Sequence, residues 1–191
     1  MIRFREDPVR MMRAIKFASR LDFKIEKDTA KAMHKLHSMI LSASAPRVCE
    51  EVFRLFPYGK SAEAFRMMWE YGLMGDLLPE LAEFIKKDGG LKSRTWRYLA
   101  MLDRYEIAMA KQGYDVPNGL RAAVLYAAWA HDEPGNSREI MGTMLRSLKI
   151  PKATYFLAVL MIDSVKRLSR PPEKSRRRFL HNRDFQDALD F

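Results

Sequence analysis

The sequence predicts an all-α protein, a multi-helix bundle of about nine to twelve helices. Three observations lead to this prediction. Hydrophobic residues make up 48% of the 191 residues, which supports a real core and argues against a disordered chain. Thirteen methionines, with many alanines and leucines, favour helix over strand. No run of alternating apolar and polar residues is bounded by hairpin turn signals.

Turn-forming residues divide the first half of the chain into short helices. Asp7 is predicted to cap the first helix, with Pro8 in the first helical position. Ser61 is predicted to cap a later one, and Gly59 and Gly72 lie at the breaks on either side of it. The predicted helices cover residues 8–21, 28–41, 45–56, 61–71, 74–78 and 79–87.

The second half follows the same pattern with longer helices. Gly89 and Gly90 end the preceding helix, Gly113 ends the next, and Pro117 begins another. The predicted helices cover residues 93–111, 117–130, 137–148, 151–168 and 172 to the end, with a break near His181. Residues 133–136 are predicted to form a loop, and 88–90 is a candidate boundary within one domain or between two small ones that share a core.

The composition limits the function classes. The chain has 34 Lys and Arg residues and 24 Asp and Glu residues, which gives a net charge of +10. This charge predicts RNA, DNA or an acidic membrane surface as a partner. The alternative is that the charge only keeps the protein surface soluble. The chain has one cysteine, Cys49, which excludes an internal disulfide and fits a reducing compartment. One cysteine and four histidines also argue against a structural zinc site. No apolar run is long enough to span a bilayer and no signal peptide is visible, so we expect a cytoplasmic protein that is not inserted in a membrane.

The first predicted helix separates into two faces at about 100° per residue. One face carries Met11, Ala14, Ile15, Ala18 and Leu21, and the opposite face carries Arg10, Arg13, Lys16 and Arg20. The apolar face is predicted to be core, and a basic face is usually solvated. Asp7 and Arg10 lie three residues apart, so they can present a carboxylate acceptor beside a planar donor fork, or simply form an ion pair at the helix start.

These residues carry a family resemblance. Residues 5–18, REDPVRMMRAIKFA, resemble the EDPxRMLRAxRFA segment of class II tRNA nucleotidyltransferases and bacterial poly(A) polymerases. Further segments resemble the same family: Leu21 to Ile25 with Thr29, Pro46-Arg47-Val48 with Glu50-Glu51 (Pro46 replaces the family's usual Glu), Leu55 to Gly59, and, less closely, residues 147–152 and Phe179-Leu180. The last two favour the poly(A) polymerases.

The resemblance implies a neck domain at 1–88 and a helical, RNA-binding body at 89–191. In this family the motif's Asp and Arg pair with the base of the incoming nucleotide, which implies Asp7 and Arg10 here. Arg13 is expected to support base recognition or to contact a phosphate, and Glu6 and Arg47 are further supporting residues. The chemistry is sensible because adenine and cytosine each present an amino donor beside a ring-nitrogen acceptor. Guanine and uracil present a carbonyl beside an N–H, which would leave the pair unsatisfied.

The resemblance also implies a catalytic head that this sequence does not contain. The family needs a Gly-Ser turn and a D-x-D pair for Mg²⁺, and neither occurs here. We therefore expect a fragment that is inactive alone and binds no cofactor alone. In the whole enzyme ATP would be the substrate, the head would hold Mg²⁺, and AMP would be added to the 3′ end of mRNA or tRNA. A CCA-adding enzyme is the alternative within the family, and a non-catalytic RNA- or protein-interaction module is the alternative outside it.

A second basic cluster lies near the end of the sequence. The candidate RNA-binding residues are Lys152, Lys166, Arg167, Arg170, Lys174, Arg176, Arg177 and Arg178, with Arg183 beyond them. These residues either bind the phosphate backbone of RNA or form a charged surface that contacts only solvent. Tyr155, Phe156 and Phe179 could stack on bases, although core packing is the simpler expectation for each.

Overall fold

The computed structural model describes residues 2–133 and 136–169, without the side chains of residues 2 and 166–169. All regular secondary structure in these ranges is helical, which confirms the all-α prediction. The helices are α1 (Ile2–Glu6), α2 (Val9–Leu21), α3 (Lys27–Leu36), α4 (Ala45–Phe53), α5 (Ser61–Glu70), α6 (Leu73–Leu77), α7 (Pro79–Lys87), α8 (Arg94–Lys111), α9 (Asn118–Asp132), α10 (Ser137–Leu148) and α11 (Lys152–Ser169). Short 3-10 helices cover His37–Ser42 and Gly90–Lys92, and the helix predicted from residue 172 lies outside the described residues.

One hydrophobic core runs through the bundle, from Val9 in α2 to Ile162 in α11. Helix α9 packs against both α8 and α11, α8 packs against α5, and α2 packs against α4 and α5. Aromatic rings fill the centre, where the Phe56 and Phe65 rings lie 4.7 Å apart, centroid to centroid. Helix α2 packs directly against α4, and this pair positions the residues of interest.

The start of α2 differs from the prediction. A short helix, α1, precedes it, and α2 begins at Val9 without a side-chain cap. The prediction that Asp7 caps this helix was wrong, because its carboxylate accepts from Arg47 of α4 instead.

The two predicted faces of α2 also need correction. Lys16, predicted on the solvated face, is buried against Glu51, whereas Leu21, predicted in the core, is 54% exposed. Leu21 is the last residue of α2, and the chain leaves it through Asp22 in a left-handed conformation (φ 53°). Val9 and Met12 enter the core beside Met11 and Ile15.

The start of α5 is held from a distant part of the chain. Ser61 is its first residue rather than its cap, and the backbone N–H groups of Ser61 and Ala62 donate to the carboxylate of Asp103 in α8 (2.7 and 3.1 Å). Gly59 precedes this contact with φ 70°, and a Cβ there would lie 2.5 Å from the Ile107 side chain. The glycine therefore permits both the turn and the close approach of α8.

Candidate functional site

The Asp7 carboxylate lies between α1 and α2, and Arg47 holds it from α4. Arg47 Nη2 donates to both Asp7 oxygens at 3.2 Å, and the Asp7 side chain is 22% exposed. The first turn of α4 brings Arg47 to this place because α4 packs across α2. One nitrogen shared by two oxygens leaves lone pairs on both, so Asp7 can still accept a hydrogen bond from a ligand.

Arg10 stands next to this carboxylate without bonding to it. Its Nε lies 3.9 Å from Asp7 Oδ2, which is an ion-pair distance but too long for a hydrogen bond. The Arg10 side chain is 43% exposed, and its guanidinium donates no hydrogen bond within the described ranges. The structure therefore brings Asp7, Arg10 and Arg47 together, with a free donor fork beside a carboxylate that keeps acceptor capacity.

Arg13 belongs to a different cluster, centred on Glu51. Glu51 is buried and accepts from Arg13 Nε (3.2 Å), Lys16 Nζ (2.8 Å) and Arg54 Nη1 (3.1 Å). Burial by itself raises the pKa of Glu51, but the bonds from Lys16 and Arg13 outweigh it, so the net pKa lies below its ordinary value. Glu51 is thus an ionised carboxylate enclosed by three cations.

For the other predicted site residues, the structure gives at most their exposure and the helix to which they belong. Glu6 is exposed at the end of α1, and Lys152 is exposed at the start of α11. Lys166 and Arg167 lie in α11 with side chains that are not described. Arg170, Lys174, Arg176, Arg177, Arg178, Arg183 and Phe179 lie outside the described residues.

Other side chains considered in the sequence analysis do not form a candidate site in the described structure. Cys49 is buried, and burial raises the pKa of its thiol, as expected for a packed side chain rather than a nucleophile. The Tyr155 hydroxyl donates to the backbone carbonyl of Arg138. The expectation that Phe156 packs in the core was wrong, because this residue is 63% exposed on the surface of α11. Across residues 2–133 and 136–169, no group of three or more His, Cys, Asp or Glu could hold a metal ion. No helix in those ranges is long and apolar enough to cross a membrane.

Sequence reasoning missed two features near α2. The buried Glu51 cluster was not predicted, although Lys16 lies three residues from Arg13 and the pair Glu50-Glu51 follows Arg47. The second feature is Tyr58, an exposed ring with the Arg20 guanidinium 4.0 Å from its centroid. Neither pairing has a local signal, because each joins residues more than thirty positions apart.

Comparison with known proteins gives a match to one family model and matches to curated relatives. Residues 22–85 match a family model described as "Probable RNA and SrmB- binding site of polymerase A". Poly(A) polymerase I of Escherichia coli O6:H1 is 33% identical over 87 residues, 46% of this chain and 19% of that protein. Poly(A) polymerase I of Haemophilus influenzae is 32% identical over 93 residues, 48% of this chain and 21% of that protein. The CCA-adding enzyme of Bacillus velezensis is 40% identical over 75 residues, 39% of this chain and 19% of that protein.

These matches agree with the resemblance seen in the sequence. Over the matched region this chain is similar to poly(A) polymerases and CCA-adding enzymes, which supports the resemblance to the class II nucleotidyltransferase family. The matches cover only about a fifth of the length of these curated relatives. Both kinds of class II enzyme, the poly(A) polymerases and the CCA-adding enzymes, are represented among them.

Proposed function

We propose that this chain is the RNA-binding and nucleotide-selecting helical part of a template-independent RNA nucleotidyltransferase that adds AMP to RNA 3′ ends. In this proposal residues 1–88 form the neck and residues 89–191 form the body that holds RNA. Relatives of both kinds leave the same region of a CCA-adding enzyme as the second candidate.

The observation that carries the proposal is the open pair formed by Asp7 and Arg10. Asp7 is held by Arg47 yet keeps acceptor capacity, and Arg10 keeps its donors. An adenine or cytosine edge fits this pair, since its amino group would donate to Asp7 and its ring nitrogen would accept from Arg10. A guanine or uracil edge would place a carbonyl against the carboxylate and an N–H against the guanidinium.

The cost of that mismatch is sufficient for selection. An unsatisfied polar group costs about 1–3 kcal/mol, and two mismatched contacts together would exceed a tenfold preference. Arg47 acts as a positioning residue here, because it fixes the carboxylate from a second helix before a base arrives. Arg13 supports the site indirectly, through the Glu51 cluster that fastens α2 to α4.

The transfer chemistry belongs to other parts of the proposed enzyme. ATP would be the substrate, and Mg²⁺ would assist in-line attack by the RNA 3′ hydroxyl when held by a catalytic head. The described residues contain no cluster of metal ligands, so we assign them no magnesium site. Their proposed task is to choose the base and to hold RNA.

RNA binding is supported by charge and by the family description, which covers residues 22–85 and so extends the expected RNA contact into the proposed neck. The net charge of +10 suits a polyanion, and Lys152 is exposed where α11 begins. The basic run from Lys166 to Arg178 would extend this surface, with each phosphate contact releasing counterions and making binding sensitive to salt. The first measurement is fluorescence anisotropy of this chain with a tRNA-like hairpin and with a single-stranded A-rich RNA, at two salt concentrations. Absence of binding at low salt would contradict the RNA-binding half of the proposal.

The selecting role is tested by Asp7→Ala in a polypeptide that joins this chain to its nucleotidyltransferase head. We expect at least about a tenfold loss of preference for ATP over GTP and UTP, with nearly unchanged RNA affinity. Asp28→Ala, at an exposed aspartate of α3, is the matched control and should leave selectivity unchanged. Unaltered selectivity in Asp7→Ala would refute base recognition by this pair. If the reading frame encodes no head containing Gly-Ser and D-x-D, the interaction-module alternative is favoured.

A further inference from the structure

The loop between α4 and α5 holds a tyrosine in an unusual conformation. Tyr58 has φ 79°, in the left-handed region, and Gly59 after it has φ 70°. Glycine and asparagine occupy this region readily, whereas a bulky aromatic residue there is a true outlier. The Tyr58 ring gains no compensating burial, because the residue is 72% exposed. Strain without burial suggests that the ring serves something other than packing.

One face of the Tyr58 ring is covered by a cation. The Arg20 guanidinium lies 4.0 Å from the ring centroid and also donates to the backbone carbonyl of Arg54. These two contacts fix Arg20 against α4 and fix the ring against Arg20. Since the residue is mostly exposed, the other face of the ring is open to solvent. The result is an exposed aromatic plane backed by positive charge.

Exposed apolar and basic side chains flank Arg20 and Tyr58 along the chain. Phe17, Leu21 and Phe23, all exposed, lie within three residues of Arg20 in the sequence. Lys60 contacts Asp22, which brings the loop after Tyr58 to the end of α2, and Lys24 is exposed just beyond. Aromatic faces beside cations are the chemistry used to bind unpaired nucleobases and their phosphates.

The plane is distinct from the site of base selection. Arg10 and Arg20 lie ten residues apart on α2, which corresponds to about 15 Å along the helix axis. A nucleotide bound at Asp7 and Arg10 could not also stack on Tyr58. The plane would therefore meet a different nucleotide, one belonging to the RNA chain.

We propose that Tyr58, backed by Arg20, is a stacking platform for an unpaired base of bound RNA. This inference rests on the proposed RNA-binding function and adds to it a specific contact surface outside the basic C-terminal run. Stacking is tolerant of base identity and requires an accessible base, so the platform would favour single strands over duplexes. It contributes no new phosphate contact of its own.

The test compares Tyr58→Asn with Tyr58→Phe in the 191-residue chain. Asparagine tolerates the left-handed backbone and lacks the ring, whereas phenylalanine keeps the ring. Tyr114→Asn, at another exposed tyrosine, is the matched control. Binding is measured by anisotropy with a single-stranded A-rich RNA and with a fully paired RNA duplex, over a range of salt concentrations, and unfolding temperature is recorded for each variant.

We expect Tyr58→Asn to weaken single-strand binding at least about fivefold, with the salt slope unchanged. Duplex binding and unfolding temperature should stay at the parent values, and Tyr58→Phe should bind single strands like the parent. A 2-aminopurine placed in the single strand should be quenched by the parent and less by Tyr58→Asn.

Three outcomes would overturn the platform while leaving RNA binding by this chain intact. They are parent-like single-strand affinity in Tyr58→Asn, an equal loss for single strand and duplex, and an equal loss in Tyr114→Asn. If the parent chain itself binds neither RNA at low salt, the proposed RNA-binding function fails and the platform fails with it.

Discussion

Asp7 and Glu51 are two carboxylates near the contact of α2 with α4, and they differ in burial and in the number of cations that bind them. Glu51 is 4% exposed in its side chain and accepts from three cations. Asp7 is 22% exposed, accepts only from Arg47 in the described structure, and has Arg10 at 3.9 Å. Both are acids among arginines, yet one is enclosed and the other is open.

The difference shows how a structural ion cluster is distinguished from a candidate binding site. Enclosing Glu51 removes it from water, so its partners must stay in place or leave a buried charge. Asp7 keeps access to water and keeps unsatisfied acceptor capacity, so a ligand can replace solvent at small cost. The enclosed cluster joins α2 to α4, the two helices that supply Arg10 and Arg47 to the open pair.

The largest expected effect is on stability at the enclosed carboxylate. Glu51→Gln leaves the buried Lys16 ammonium without its counter-charge, and we expect the free energy of unfolding to fall by about 3 kcal/mol. Urea denaturation measures this. Glu50→Gln, at the exposed neighbour paired with Arg54, should cost less than about 1 kcal/mol, and so should Asp7→Asn. A loss in Asp7→Asn as large as that in Glu51→Gln would remove the distinction between the two carboxylates.

The same contrast predicts a pH dependence. The pKa of Glu51 is lowered in the folded state, so its stabilisation is complete above its unfolded pKa of about 4.3 and is lost as the pH falls through the folded value. Below about pH 4.3 the free energy of unfolding should therefore fall more steeply in the parent than in Glu51→Gln. Denaturation curves collected between neutral and acidic pH check this, and parallel curves for the two proteins would contradict it.

The smallest expected effects come from two arginines, Arg47, which contacts Asp7, and Arg13, which contacts Glu51. Arg47→Ala removes the group that orients Asp7, and we expect several-fold weaker discrimination between ATP and GTP in the head-containing polypeptide. Arg13→Ala removes an exposed bond to Glu51 and should cost less than about 1 kcal/mol of stability with selectivity retained. Primer-extension assays with each nucleotide provide the comparison. Equal loss of selectivity in both variants would mean that α2 as a whole, rather than the Asp7 carboxylate, sets the choice.

Much of the fold could be predicted because its signals are local. Helices α7 and α10 have the predicted ranges, Pro79–Lys87 and Ser137–Leu148, since a proline or a serine marks each start. Ser93 caps α8, where its hydroxyl accepts from the Thr95 N–H. Helix α1 was missed because five residues carry too little periodic pattern.

The site could be predicted only in part, for a related reason. The closeness of Asp7 and Arg10 follows from a three-residue spacing within one segment. The partner that occupies Asp7, Arg47, is forty residues away, and so the expectation of a helix cap at Asp7 was wrong. The burial of Lys16 likewise depends on Glu51 in another helix, which periodicity on α2 cannot reveal.

The carboxylate of Asp103, which caps the N-terminal end of α5, has a consequence for folding cooperativity. It satisfies the N–H groups of Ser61 and Ala62 from the far side of the predicted boundary at residue 88. A polypeptide cut at that boundary would leave those donors unsatisfied and expose the face of α5 that α8 covers. Whatever tasks the two segments divide between them, we expect them to unfold in a single transition.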